Sequence, residues 1–263
     1  MRILKSFIGM ILKKIYKSNL NIFSTLLLNF RAFRFRDAIK LPVFCYGNIN
    51  FEGVHKGCIE LSEVHFHTLR LGGGRYTYIF GNSNLDKSYY RFSGTLSVGS
   101  NVIIDQGCII SICSGARLAL GDNVYINRRS TIHVKESILV EHNTWIGWNC
   151  QILDSDFHFM VNDDGIIGNR NRPVRIGHCV WLANNVYVSK GAVLPDYSVV
   201  ASMSLVNKDL SSFGEKCLFG GIPVRCLKTG IRRLFLAEND IDQMFKGCID
   251  SINIDSIPFI KEL

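Results

Sequence analysis

At 263 residues, 47% of them hydrophobic, the chain is long enough to bury one sizeable core. Its formal charge of +8 is confined to residues 1–40, where nine Lys or Arg meet the single acid Asp37; the rest holds equal numbers of acids and bases, which excludes a general polyanion-binding field and nucleic acid as a partner. Nine cysteines lie singly with no CxxC pair, so neither a disulfide framework nor a zinc site is indicated and a reducing, cytoplasmic setting is expected.

Residues 1–40 read as a basic, amphipathic, helical N-terminal segment. Over residues 2–17, Ile3, Leu4, Phe7, Ile8, Ile11, Leu12 and Ile15 share one helical face, opposed by Arg2, Lys5, Lys13 and Lys17. Such a helix either docks on the protein's own body or lies peripherally on an anionic membrane surface. Residues 19–30 are too short and too polar to span a bilayer. The apolar run over residues 7–12 is short for a signal peptide, and no small-residue cleavage site follows it.

From about Leu41 an internal repeat takes over, ragged as far as Leu96 and then regular. Aliphatic residues recur every six positions at Ile176, Leu182, Val188, Leu194, Val200 and Val206. Small residues often follow directly (Gly177, Ala183, Ser189, Ala201), and the fourth position after each of the first five aliphatics is small or β-branched (Val180, Val186, Ala192, Ser198, Ser204). Upstream the same phase appears in the triplets Val98, Ile104, Ile110, then Leu120, Ile126, Ile132, then Val140, Ile146, Ile152. Between triplets the spacing stretches to ten, eight and twenty-four residues, so insertions fall once per turn at a corner. A helix would show spacings of three and four and a half-buried strand a period of two. A three-sided coil, one aliphatic per side pointing inward and small residues at tight corners, gives six. Cys108 and Cys150 occupy the small fourth position as compact hydrophobes. Residues 41–229 therefore form one all-β solenoid with a loop over 154–174, and residues 230–263 a helical C-terminal tail.

The pattern [LIV]-[GAS]-x-x-[small]-x resembles the hexapeptide-repeat acyltransferases, over residues 98–228 most clearly. The resemblance implies a left-handed parallel β-helix, assembly as a homotrimer, and acetyl-CoA as acyl donor with no metal. Within that family the chain looks most like maltose, galactoside and polysaccharide O-acetyltransferases, which implies a sugar or glycan hydroxyl as acceptor. Acetylation of serine, of an amino-sugar amine or of an antibiotic, and a non-catalytic β-helix scaffold, are the alternatives.

His158 stands where the repeat is interrupted, in the string Asp154-Ser155-Asp156-Phe157-His158, and an imidazole is suited to take a hydroxyl proton near neutral pH. The D-x-D-x-H string resembles the family's catalytic-histidine loop, with Asp156 or Asp154 orienting the ring. His133, His142, His178, His55, His65 and His67 have weaker claims. For the coenzyme, Trp181 is read as a wall of the acyl site and Ala183 as a point where backbone approaches the pantetheine arm. The stretch holding Ala201, Ser202, Ser204 and Lys208, and the terminal stretch holding Arg225 and Lys228, resemble the family's cofactor-contacting segments. Met203 stands where that pattern has Gly, and Val224 where it has Ala. Asn127 matches an acceptor-contacting asparagine supplied by the neighbouring subunit, and Trp148, with Trp145, is a candidate sugar-stacking wall.

Overall fold

The computed structural model describes residues 19–73 and 86–234. The chain winds as a parallel β-helix whose faces are sheets of nine, seven and six strands. One turn visits each face once: Val102–Ile104 lies on face one, Ile109–Ile112 on face two and Arg117–Leu120 on face three. The next turn repeats the visit with Tyr125–Ile126, Thr131–Val134 and Ser137–Val140.

The six-residue phase of the sequence becomes vertical register. On face one Ile104, Ile126, Ile146, Leu182, Val200 and Phe219 are successive strand partners. Face two stacks Ile110, Ile132, Ile152, Val188 and Val206. Face three stacks Val98, Leu120, Val140, Ile176 and Leu194. All of these side chains are buried, so each face lays down a continuous apolar column, each side chain contributing about 1.5–3 kcal/mol by its removal from water.

The small residues after the aliphatics are dictated by the turn above. A Cβ on Gly121 would lie 2.7 Å from the His142 amide nitrogen, and one on Gly177 would lie 2.4 Å from Asp196 Oδ1. Corners also need left-handed backbone. Asn101, Asn123 and Asn143 supply it with φ of 54°, 56° and 57°, and their amides bond in a ladder at 2.8 and 3.0 Å.

The first two turns hold the strands Val43–Cys45, Ile49–Glu52, Ile59–Leu61 and then Leu69–Leu71, Ser88–Phe92, Thr95–Val98. Here Phe51, Tyr90 and Phe92 stack at 5.8 and 6.0 Å between ring centroids, doing with rings what aliphatics do higher up. The insertions around residues 113–116 and 135–136 and the long loop all leave from the edge between faces two and three. Val174 already belongs to the strand Val174–Ile176.

Two helices precede the first strand: α1 (Ile22–Ala32) and α2 (Phe35–Ala38). Asn21 caps α1 by accepting from the Ser24 amide at 2.9 Å, and Lys56 Nζ donates to the Phe30 carbonyl at 2.6 Å near its C-terminus. Helix α1 lies along the open edge of Val43–Cys45. The Asn29 amide donates to the Val43 carbonyl and accepts from its N–H, and Thr25 Oγ1 accepts from the Cys45 N–H. At the other end the parallel strand Cys217–Gly220 is followed by the antiparallel strand Arg225–Thr229.

The amphipathic stripe over residues 2–17 lies outside the described residues, as does the expected helical tail from 235 onward; residues 231–234 carry no helix. Among the described residues no helix is long and apolar enough to cross a membrane. The eight described cysteines are free, and burial pushes the Cys150 thiol up to about 11, as suits its inward position.

Candidate active site

The long loop is a hydrogen-bonded arm. Ser155 and Asn171 pair across its base, with Ser155 Oγ donating to Asn171 Oδ1 at 2.7 Å, and Val161 and Ile167 pair nearer the tip. Ser155 Oγ also accepts from the Phe157 amide at 3.0 Å. Phe157, at φ 64°, sets its ring edge-on to His133 at 4.9 Å between centroids. These contacts hold the residues on either side of His158, whose own side chain is exposed.

The two neighbouring carboxylates have different tasks. Asp154 is fully buried, and its oxygens accept the Lys135 and Glu136 amides at 2.8 Å each. It braces the corner of the turn below and is not turned toward His158, which corrects its assignment as an orienting group. Asp156 is exposed and forms an ion pair with Lys190, the side chain one turn above. Of the two aspartates it alone keeps a carboxylate at the surface of the arm.

Lys208 shares this edge of the prism. The Ser189 amide bonds the Val206 carbonyl at 2.9 Å, so the segment carrying Lys208 lies one turn above Lys190. Lys208 is exposed.

The other predicted contacts gather elsewhere. Asn127, Gly147, Ala183, Ala201 and Gly220 follow the aligned aliphatics of face one, and backbone hydrogen bonds of 2.8–2.9 Å tie each turn to the next. They form one column on the edge between faces one and two, with Trp148 and Ser202 beside it at the corner. Asn127 Oδ1 accepts from the Arg128 amide at 2.8 Å. Ala183 is 8% exposed and Ala201 more so. Ser204 is buried, its hydroxyl donating to the Ala201 carbonyl at 2.7 Å and accepting from the Gly221 amide at 3.1 Å. Its side chain therefore shapes this corner from inside and offers nothing to a ligand.

Trp181 stands on face one directly above Trp145, its strand partner, and Trp145 meets Tyr125 edge-on at 5.7 Å. The Arg233 guanidinium lies 3.6 Å from the Trp145 ring centroid and 5.6 Å from that of Trp181. Trp145 thus belongs to this aromatic ladder on face one. Arg233, beyond the last repeat, was invisible to the period. Arg225 and Lys228 are exposed on the returning strand, paired with Gly220 and Leu218.

His133 gains importance from the structure. Half-buried under Phe157, its pKa is lowered by burial and secondarily by the Lys135 charge, so the ring stays neutral at physiological pH. Among the described residues no group of His, Cys, Asp and Glu is arranged to hold a metal ion.

The two departures from the family-like pattern have separate explanations. Val224 points into the core, fully buried, so it does not narrow any groove. Met203 takes a left-handed corner with φ 60° while its side chain is 63% exposed. Left-handed backbone costs a residue with a Cβ about 1–2 kcal/mol. Met203→Gly is expected to raise stability by up to about 1 kcal/mol, part of that relief being offset by glycine's extra entropy loss, read as a higher urea midpoint at unchanged slope.

No family model matches the chain. It is 25% identical over 134 residues to the galactoside O-acetyltransferase of Escherichia coli K12, the alignment covering 50% of this chain and 63% of that one. The chain thus spans just under two thirds of that relative's length. Over 144 residues it is 31% identical to an uncharacterized 24.8 kDa protein in the cps region of Klebsiella pneumoniae, covering 54% and 62%. Among solved structures, the hexapeptide-repeat acetyltransferase VCA0836 of Vibrio cholerae, complexed with acetyl coenzyme A, is 22% identical with a TM-score of 0.42, covering 49% and 68%. The resemblance to hexapeptide-repeat acyltransferases read from the six-residue pattern is borne out.

Proposed function

We propose that this chain is an acetyl-CoA-dependent O-acetyltransferase that works as a homotrimer, with His158 as general base and a sugar or glycan hydroxyl as acceptor. One observation carries the reading: the His158 arm and the column holding Asn127, Ala183 and Ala201 occupy different edges of the same prism. Packing the arm edge of one chain against the column edge of the next, around a threefold axis, would bring both into one cleft. The name of the galactoside O-acetyltransferase to which the chain is similar supports the choice of acceptor class.

In this reading the acceptor oxygen attacks the thioester carbonyl carbon while the His158 imidazole takes its proton. The tetrahedral intermediate then expels the coenzyme thiolate, which recovers the proton from the imidazolium. An acetyl ester and free coenzyme A result. Asp156, on the same arm, steadies the ring, and Trp181 bounds the acyl end. Ala201 and Ser202 let the pantetheine arm run close to the backbone. Lys208, on the arm's own edge, and Arg225 and Lys228 on the returning strand meet the phosphates. Asn127 and Trp148 meet the acceptor. We place the protein in the cytoplasm, with peripheral membrane contact through residues 1–40.

The test is release of free thiol from acetyl-CoA by the purified protein, offered sugars, serine and amines in parallel. Release that depends on a sugar hydroxyl supports the reading; release driven only by serine or an amine moves the acceptor class, and none with any acceptor defeats it. Lys208→Ala with Arg225→Ala should raise the KM for acetyl-CoA on the order of tenfold, since hydrogen bonds to charged groups are worth about 1.5–3 kcal/mol before solvent screening. The kcat should change little, because phosphate contacts far from the reacting carbon bind ground and transition states alike.

A further inference from the structure

Helix α1 is apolar on both sides. The side docked on the solenoid sends Leu28 and Ala32 into the core and meets the open edge of Val43–Cys45 with the polar groups of Thr25 and Asn29. At about 100° per residue the opposite side carries Phe23, Leu26, Leu27 and Phe30, and these are exposed. Phe23 is 76% exposed. Helix α2 continues the surface, with Phe35 71% exposed and its ring 6.1 Å from that of Phe30. Exposed Arg31, Arg34, Arg36 and Lys40 border the patch, and Asp37 is the single acid among residues 1–40. A contiguous apolar surface of this kind, ringed by one sign of charge, marks an interaction face.

Charge decides what covers it. Residues 1–18 carry Arg2, Lys5, Lys13, Lys14 and Lys17 and no acid, so laying them on the patch would set cations against its cationic rim. A second copy of the face would do the same. An anionic lipid surface instead accepts the phenyl and leucyl side chains at the headgroup boundary and pairs the guanidinium groups with phosphates. We propose that the outward face of α1 and α2 is a docking surface for an anionic bilayer. Because α1 covers the bottom edge of the stack, the solenoid stands end-on to the lipid. The proposal deepens the peripheral membrane contact already read for residues 1–40 and assigns it to this face.

The experiment is co-sedimentation of the full-length protein with phosphatidylglycerol–phosphatidylethanolamine vesicles and with phosphatidylcholine vesicles, each at low and high salt. The full-length variants Phe23→Ser/Phe30→Ser/Phe35→Ser and Arg34→Glu/Arg36→Glu are run beside it, with far-UV circular dichroism and light scattering as controls. The unaltered protein should pellet with the anionic vesicles only, less at high salt, and each variant should bind about tenfold more weakly or worse. If the protein binds and both variants bind equally well, this face is not the docking surface although membrane contact survives. If it binds neither vesicle, both ideas fall. A change of oligomeric state in the apolar variant would assign the face to a second copy and overturn the proposal.

Discussion

Replacing His158 by Ala should lower kcat by a factor of about 10²–10⁴, the usual contribution of a positioned general base. Stability should stay within about 0.5 kcal/mol, because the side chain is exposed and its removal opens no cavity. Oligomeric state should be unchanged, since the arm is held by Ser155, Asn171 and Phe157 rather than by the imidazole. The pairing of lost turnover with retained fold is what identifies a chemical role. Should the variant turn over at a normal rate, the base lies elsewhere, and His133, neutral and directly beneath Phe157, is the next group to replace.

The second large effect separates two aspartates only one residue apart. Asp154→Ala removes two charge-assisted hydrogen bonds, to the amides of Lys135 and Glu136, and empties a fully buried side-chain position. We expect a loss of about 3 kcal/mol, or a thermal midpoint lower by about 6–12 °C for a chain of this size. Asp156→Asn should cost less than about 1 kcal/mol, because the carboxylate itself is exposed and Lys190 keeps the Asn169 carbonyl as a partner. Its effect should appear in turnover instead. Equal thermal midpoints for the two variants would show that the buried brace at Asp154 has been misjudged.

The sequence announces the solenoid because every turn obeys the same two steric demands, an aliphatic inside and a small residue under the next backbone. Where those demands are met by rings, as at Phe51, Tyr90 and Phe92, the period blurs, and the first two turns looked ragged although they are built on the same plan. The arm was legible as a gap in the rhythm. Which aspartate turns inward was not, since both fit the same string and only the corner amides of the preceding turn decide. Ser204 is the instructive case: its place in the repeat marked its side chain as inward, and it is buried. Helix α1 falls within the segment read as helical, but which of its sides docks was not legible. Its docking side mixes Leu28 and Ala32 with Ser24, Thr25 and Asn29, so no clean apolar stripe marked which side meets the solenoid.

Stacked parallel strands with bare rims are templates on which another chain can continue the pile. On face one, among the described residues, neither rim is left bare. Below, Asn29 and Thr25 occupy the backbone groups a further turn would need. Above, the strand Arg225–Thr229 runs against the direction of the ladder, so an incoming parallel turn meets the wrong polarity. On that face growth of a fibre is thereby stopped at both poles, which favours the flanks as the place for copies of the protein to meet.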